Sequence, residues 1–347
     1  MSIITTSTMS PARAQYNIQK GLFRPHTVLG NMAMAYFQDS TQYFARAMFP
    51  TCRVQQSADR YYVFDKEDLL RSGWQKKPSM GQVMPTVVSE HTDTYSVDVY
   101  QMIMGLDEIR QTDIDRRGGP QISKPEYQQT RVIAHHSDIF KDRMFVKKFF
   151  SPDVWKDEWT GVDNTTPGDK EFIKFSNDNS DPIAFIDEQK WRVYERTGRM
   201  PNRLGIGVDV LKALRKHPAI KERVLPGGAT SNPARITESV LQQLFEVDKV
   251  VVMHSIHNAA EMGELDNIGF IANTKSMLLT YAPSAPSTSE PSAGYIFQWD
   301  MLGNGQLMPM FHRKPNDARH VEELEAMMAF DMRKTADDLA VFFKDVV

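Results

Sequence analysis

Residues 54–103 constrain this chain more than any other stretch. Two β-prone arms, SDRYYVFDKEDLLRSGW going out and TDTYSVDVYQMIM coming back, flank QKKPSMGQVMPTVV, which is rich in Gly, Pro and Lys. On the return, Tyr95, Val97 and Val99 fall on one face, the period-two signature of a strand. The pattern predicts a long β-hairpin. A two-stranded ribbon cannot bury its own sides and is marginal in water. It needs a covering surface, from this chain or from another.

Composition narrows the classes. The 347 residues carry 41 Lys plus Arg against 44 Asp plus Glu, a net charge of −3. That argues against a strongly basic nucleic-acid reader. Cys52 is the single cysteine, so no disulfide framework can hold the fold. No apolar run approaches the ~20 residues of a membrane helix. The opening MSIITTSTMSPAR lacks a basic and an apolar region, so the expectation is a protein made and kept in a reducing cytoplasm, away from membrane. Charge is uneven. Arg13, Lys20, Arg24, Arg46, Arg53 and Arg60 against Asp39 and Asp59 leave +4 on residues 1–60 and −7 on the remainder.

Along the chain, residues 1–25 read as an arm. Apolar spacing predicts a helix over about Thr27–Met48, halted by Pro50. A second, unusually long helix is expected over about Lys124–Phe150. Ser123 and Glu126 fit a capping box, and two stripes, Ile133–Phe140–Met144 and Val132–Ile139–Val146, would face the core. Residues 151–180 read as loop. Asp181 and Pro182 fit an N-cap and first turn, and Gly198 a helix stop. Then come a strand in MPNRLGIGV, a helix to about Pro218, a helix in TESVLQQLFEV and a buried strand in DKVVVMHSI, an α/β alternation. APSAPSTSEPSAG at 282–294 is loop between strands. The C-terminal stretch carries two signals: its many Glu, Ala and Met residues suggest helix, while the alternation of Leu324, Ala326, Met328, Phe330 and Met332, followed by β-prone LAVFFKDVV, favours strand.

The search for chemistry returns little, and no catalytic residue, metal site or cofactor is assigned. Gly205-Ile206-Gly207 is half of a dinucleotide fingerprint, but Val210 stands where the third glycine belongs. There is no Walker A, G-x-S-x-G or H-E-x-x-H sequence. His254 and His257 lack a third ligand. The pairs Asp113/Asp115 and Asp337/Asp338 read as surface acids, His135 and His136 diverge on a helix, and Cys52 has no His partner.

Six tracts, in order, resemble the major capsid proteins of tailed double-stranded DNA bacteriophages, with their Hong Kong 97-type fold. They are AYFQDSTQYFARAMFP with SDRYYVFDKEDLLR; TDTYSVDVYQMIMGLDEIRQTDID; TGRMPNRLGIGVDVLKALRKHPAIKERV; ITESVLQQLFEVDKVVVM; IANTKSMLLTYAPSAPSTSEPSAGYIFQWD; and EAMMAFDMRKTADDLAVFFKDVV. The resemblance spans about residues 28–347. It implies an α+β fold with an N-terminal arm and helix (1–50), an extended β-hairpin or E-loop (51–105), a peripheral domain with a long spine helix (106–181), an axial α/β domain (182–305) and C-terminal strands returning to the peripheral domain (306–347).

The implied role is assembly, not catalysis: pentamers and hexamers of one subunit tile an icosahedral shell around the phage genome in a virion built in the host bacterial cytoplasm. The expected partners are further copies of the chain, a separate scaffolding protein, a portal protein and packaged DNA bound without sequence preference, with a decoration protein left open. The family pattern begins near Val28, which leaves no room for a built-in scaffold extension. Tyr62, Phe64, Leu70 and Trp74, with Lys76 and Lys77 at the tip, are candidates for contact with a neighbouring subunit, and Arg13, Lys20 and Arg24 for a DNA-facing arm. Lysine–asparagine cross-linking finds no partner motif. Two other readings stand beside this one: an encapsulin-type nanocompartment, and a soluble α/β nucleotide-binding enzyme using the Gly205–Gly207 turn.

Overall fold

The computed structural model describes residues 8–9, 43–64, 70–77, 79, 81–83, 90–107, 112, 125–224, 236–261, 263–287, 290–302, 309–316 and 321–347. The capping box at Ser123 and most of the helix expected over Thr27–Met48 lie outside them. Its last turn is present as α1 (Ala45–Met48), which ends just before Pro50.

One sheet is built around the longest strand, β15 (Val321–Lys334). Along one edge β15 pairs with β5 (Asp98–Asp107). Along the other it pairs with β14 (Met310–Asn316) and then β13 (Gly294–Trp299), all antiparallel. Beyond β13 lies β2 (Thr51–Val54), parallel to it, and beyond β5 lies β1 (Thr8–Met9). The alternation that predicted strand over Leu324–Met332 is therefore real. The acidic residues that suggest helix there lie mostly at the strand's start, where Glu322, Glu323 and Glu325 are half-buried.

The second sheet is mixed, in the order β7 (Glu171–Ile173), β6 (Glu158–Val162), β16 (Ala340–Lys344), β12 (Met277–Thr280), β8 (Arg203–Gly207), β9 (Lys249–Met253). Its central strands are continuous apolar runs because both faces are covered. Met277, Leu279, Val341 and Phe343 enter one core. Their alternate neighbours Leu278, Ala340 and Phe342 enter another. The first core is roofed by α3 (Pro182–Thr197), α4 (Val208–Lys216) and α6 (Glu238–Phe245), with α5 (Pro218–Val224) beside them.

The predicted start and stop of α3 hold. The Asp181 carboxylate accepts from the Ile183 and Ala184 N–H groups, and Gly198 closes the helix at φ 68°. At Pro218, where a helix ends, another begins: proline suits a first helical turn because its missing N–H has no partner there anyway. Residues 151–180 are not all loop. Trp159 and Phe172 turn inward from short strands, and β6 finds its parallel partner in β16, which no local pattern announces.

The long helix α2 (Pro125–Phe149) is about 37 Å long at 1.5 Å per residue. Its buried face departs from the expected stripes. Ile133, Ala134, Phe145 and Phe149 are buried, but so are Asp138, Lys141 and Asp142, while Val132 is exposed. A charged cluster takes the place of apolar residues in mid-helix, so hydrophobic spacing misplaces the face. Among the described residues, no helix is long and apolar enough to cross a membrane.

Candidate assembly surfaces

The excursion at 54–103 is a hairpin, β3 (Ala58–Phe64) against β4 (Glu90–Ser96), with Tyr61 opposite Asp93 and Phe64 opposite Glu90. Its root is fastened to the β15 sheet. Tyr95 stacks on Phe297, Tyr61 leans on the same ring from 5.7 Å, and the Tyr61 hydroxyl donates to Asp93 at 2.8 Å. Burial, reinforced by that carboxylate, holds the Tyr61 hydroxyl protonated well above the ordinary phenol range. The Trp299 indole donates to the Gln55 carbonyl, and the Ser96 N–H to Asp331, which also pairs with Arg333.

Asp59, Arg60, Thr92, Asp93 and Thr94 are exposed. Tyr62 and Phe64 sit on β3, opposite Thr92 and Glu90 in register. Leu70 is 65% exposed and Trp74 94% exposed, and Lys76 and Lys77 are exposed beside them. Of the six named contact residues, Tyr62 and Phe64 thus fall on β3, and Leu70, Trp74, Lys76 and Lys77 on the exposed stretch further along the chain. Arg13, Lys20 and Arg24 lie outside the described residues.

Sequence reasoning missed a second projecting surface. DKVVVMHSI is not one strand: β9 stops at Met253, and Ile256 opens a separate hairpin, β10 (Ile256–Asn258) against β11 (Ile268–Phe270). Ile256, Leu265, Ile268 and Phe270 are exposed on it. Short apolar residues interleaved with Gly263 and Gly269 were the available signal. His254 and His257 thus belong to different segments. Among the described residues no group of three metal-capable side chains forms.

A buried ionic cluster joins α1, α2 and the link from β9 to β10. The Asp142 carboxylate accepts from the Ala45 N–H at 2.9 Å and the Ser255 hydroxyl at 2.5 Å. It thereby caps a helix whose own N-cap, Phe44, has no polar side chain. Burial pushes Asp142 up to about 7 and its neighbour Lys141 down to about 8. Lys141 pairs with Asp138 at 2.5 Å. The cluster lines a cavity of about 180 Å³ with Tyr43, Arg46 and Lys249.

The Gly205–Gly207 turn has a structural cause. A Cβ on Gly207 would stand 2.3 Å from the Thr274 carbonyl oxygen, and one on Gly205 would meet the Met253 methyl at 2.6 Å. The Asp209 and Val210 N–H groups, where a phosphate would bind a helix N-terminus, already donate to that Thr274 oxygen. The nucleotide-binding alternative loses the geometry it needs.

No protein-family model matches the chain. A major capsid protein of Burkholderia phage BcepMu is 28% identical over 130 residues, 36% of this chain and 39% of that one. The match thus spans about two fifths of the length of that curated relative. Among solved structures, a phage-related protein from Bordetella bronchiseptica superposes with a TM-score of 0.69 at 18% identity, covering 93% of this chain and 98% of that one. A virus-like particle from Pyrococcus furiosus gives 0.52 at 8% identity, covering 90% and 98%. The likeness extends over nearly the full chain, and what it shows is the fold: the chain adopts the Hong Kong 97-type capsid fold.

Proposed function

We propose that this chain is the major capsid protein of a tailed double-stranded DNA bacteriophage, assembling as pentamers and hexamers into the icosahedral shell around the genome. One observation carries the reading: Trp74, in the stretch between β3 and β4, is 94% exposed among the described residues. An aromatic of this size is an interface anchor waiting for a pocket. In a shell, the surface that covers it belongs to another copy. Each subunit then touches several neighbours, and modest contacts add through multivalency. The sequence match to a phage capsid protein and the fold support the same reading.

In this reading the ribbon lies across an adjacent subunit and α2 is the spine of the peripheral domain. The α/β unit over 182–305 is the axial domain, and a separate scaffolding protein and a portal take part in assembly in the host cytoplasm. Arg13, Lys20 and Arg24 face the packaged DNA, whose binding is electrostatic and not sequence-specific.

Expression of the chain with and without the phage's other assembly proteins tests this, with sedimentation and negative-stain microscopy as readouts. Closed shells holding DNA in the native particle are expected. A monomer of 39.7 kDa under every condition would overturn the reading. Shells filled with protein cargo would favour a nanocompartment instead. Uniform closed shells from the chain alone would remove the need for a scaffold.

A further inference from the structure

Helix α2 hides its carboxylates and shows its cations. From Gln129 to Phe149 its acidic residues are Asp138 and Asp142, and both are buried. Arg131, Arg143, Lys147 and Lys148 are exposed. At about 100° per residue, Arg131, His135, Arg143 and Lys147 fall within an arc of about 160°. From Arg131 to Lys147 that arc runs about 24 Å along the axis. Helix stability does not ask for this arrangement. Lys147 and Lys148 suit the last turn, where cations meet the negative end of the helix dipole. Arg143 stands before that turn, and with Lys147 it makes a like-charge i,i+4 pair, which disfavours a helix. Among the described residues, no carboxylate pairs with Arg143, Lys147 or Lys148.

Acids on adjoining segments have other partners or another direction. Asp153 pairs with Lys344 at 3.5 Å, Asp98 bonds the Tyr100 hydroxyl, and Asp248 accepts from the Asn202 amide. The turn carrying Glu261 and Glu264 departs from Ser255, which is bonded to Asp142, about 100° around the helix from Arg143. What the face lacks identifies its occupant. A protein partner needs apolar or aromatic anchors at the centre of its footprint. Phe140, Met144 and Val146 pack against the core, and among the described residues of α2 Val132 alone is a large apolar side chain left exposed. A duplex needs no such anchor. Over 24 Å it offers about seven phosphates per strand, which Lys and Arg neutralise whatever the sequence.

We propose that the solvent face of α2 is a contact surface for the phosphate backbone of double-stranded DNA, with Arg131, Arg143 and Lys147 as its phosphate ligands. This rests on the capsid reading above, in which a duplex is the enclosed cargo, and it turns α2 toward the genome.

The test is a titration of the purified full chain with a duplex of mixed sequence across a salt series. Wild type is expected to bind it, and a second duplex of unrelated sequence equally, with affinity falling steeply as salt rises. Arg143→Gln with Lys147→Gln is expected to weaken binding by roughly tenfold or more at low salt. The same variant is expected to make the log–log salt slope shallower by about 2, one for each lost phosphate contact. Its thermal unfolding is expected to stay unchanged, since both side chains are exposed. Unaltered affinity and slope in the α2 variant overturn the proposal, even where neutralising Arg13, Lys20 and Arg24 abolishes binding. So does a wild type that binds no duplex at low salt. DNA binding kept by the variant, together with lost binding of purified scaffolding protein, would assign the face to that partner and overturn the DNA contact. Failure of wild type to form particles under any condition overturns the capsid reading alone, because the titration needs no shell.

Discussion

The Tyr95 ring lies on the Phe297 ring at 4.7 Å between centroids and 11° between planes, and it does so at the point where the long hairpin leaves the β15 sheet. Phe297 is also touched by Tyr61 and Tyr295, so one side chain clamps both strands of the ribbon to β13. Phe297→Ala is expected to destabilise the subunit by about 3–5 kcal/mol, the usual cost of emptying a buried aromatic site. Chemical denaturation of wild type and variant measures it. A cost below ~1 kcal/mol would mean that the root repacks and the clamp is illusory.

Trp74→Ala should separate folding from assembly. A side chain this exposed contributes within about 0.5 kcal/mol to the isolated subunit. The thermal midpoint is expected to stay unchanged while shell yield falls several-fold. Equal yields of wild-type and variant shells in the sedimentation profile would exclude Trp74 as an anchor.

Asp142 gives a pH signature. Its folded form keeps a proton up to about 7, while the same group in the unfolded chain releases it in the ordinary carboxylate range. Its stabilising contribution is present below that ordinary range and is lost as pH rises through 7. Lys141 acts in the opposite sense only above about 8. Asp142→Asn keeps the hydrogen-bonding shape without the proton. Between pH 4.5 and 7.5, the wild type is expected to lose unfolding temperature relative to the variant. Parallel curves across that window would show that Asp142 does not titrate in the folded chain.

Two smaller substitutions probe local geometry. Asp181→Ala removes the acceptor for two N–H groups at the start of α3 and is expected to cost about 1 kcal/mol. Gly207→Ala forces a methyl against the Thr274 carbonyl and is expected to cost at least about 1–3 kcal/mol, as overpacking does. Both are read from urea midpoints. A neutral Gly207→Ala would mean that the backbone around Thr274 can yield.

Much of this architecture was legible in one sequence because local rules and tertiary structure agree. The Asp181–Pro182 start and Gly198 stop of α3 need no distant partner, nor does the alternation along β15. The long hairpin could be read from its two arms. Three features were not legible. Strand β6 exists through parallel pairing to a segment about 180 residues away, and β7 in turn pairs with β6. Nothing in the helical pattern marks Lys141 and Asp142 as interior; their partners Asp138, Ser255 and the Ala45 N–H, distant in sequence in two of the three cases, hold them there. The exposed face of β10–β11 was hidden in an apolar run that looked like one buried strand, since spacing alone cannot tell an apolar residue with a partner from one without.

Strand β16 follows every other strand of its sheet in the chain, yet it lies in the sheet's interior, held between β6 and β12. Vectorial synthesis thus delivers the outer strands of this sheet first and their central partner at the end. Until residues 340–344 emerge, β6 and β12 have no bridge and the two cores on either side of Phe342 and Phe343 stay open. A nascent chain displaying its hairpin would therefore lack a finished body to present it from. The strand order therefore makes the completed sheet, and the cores on both of its faces, wait for residues 340–344.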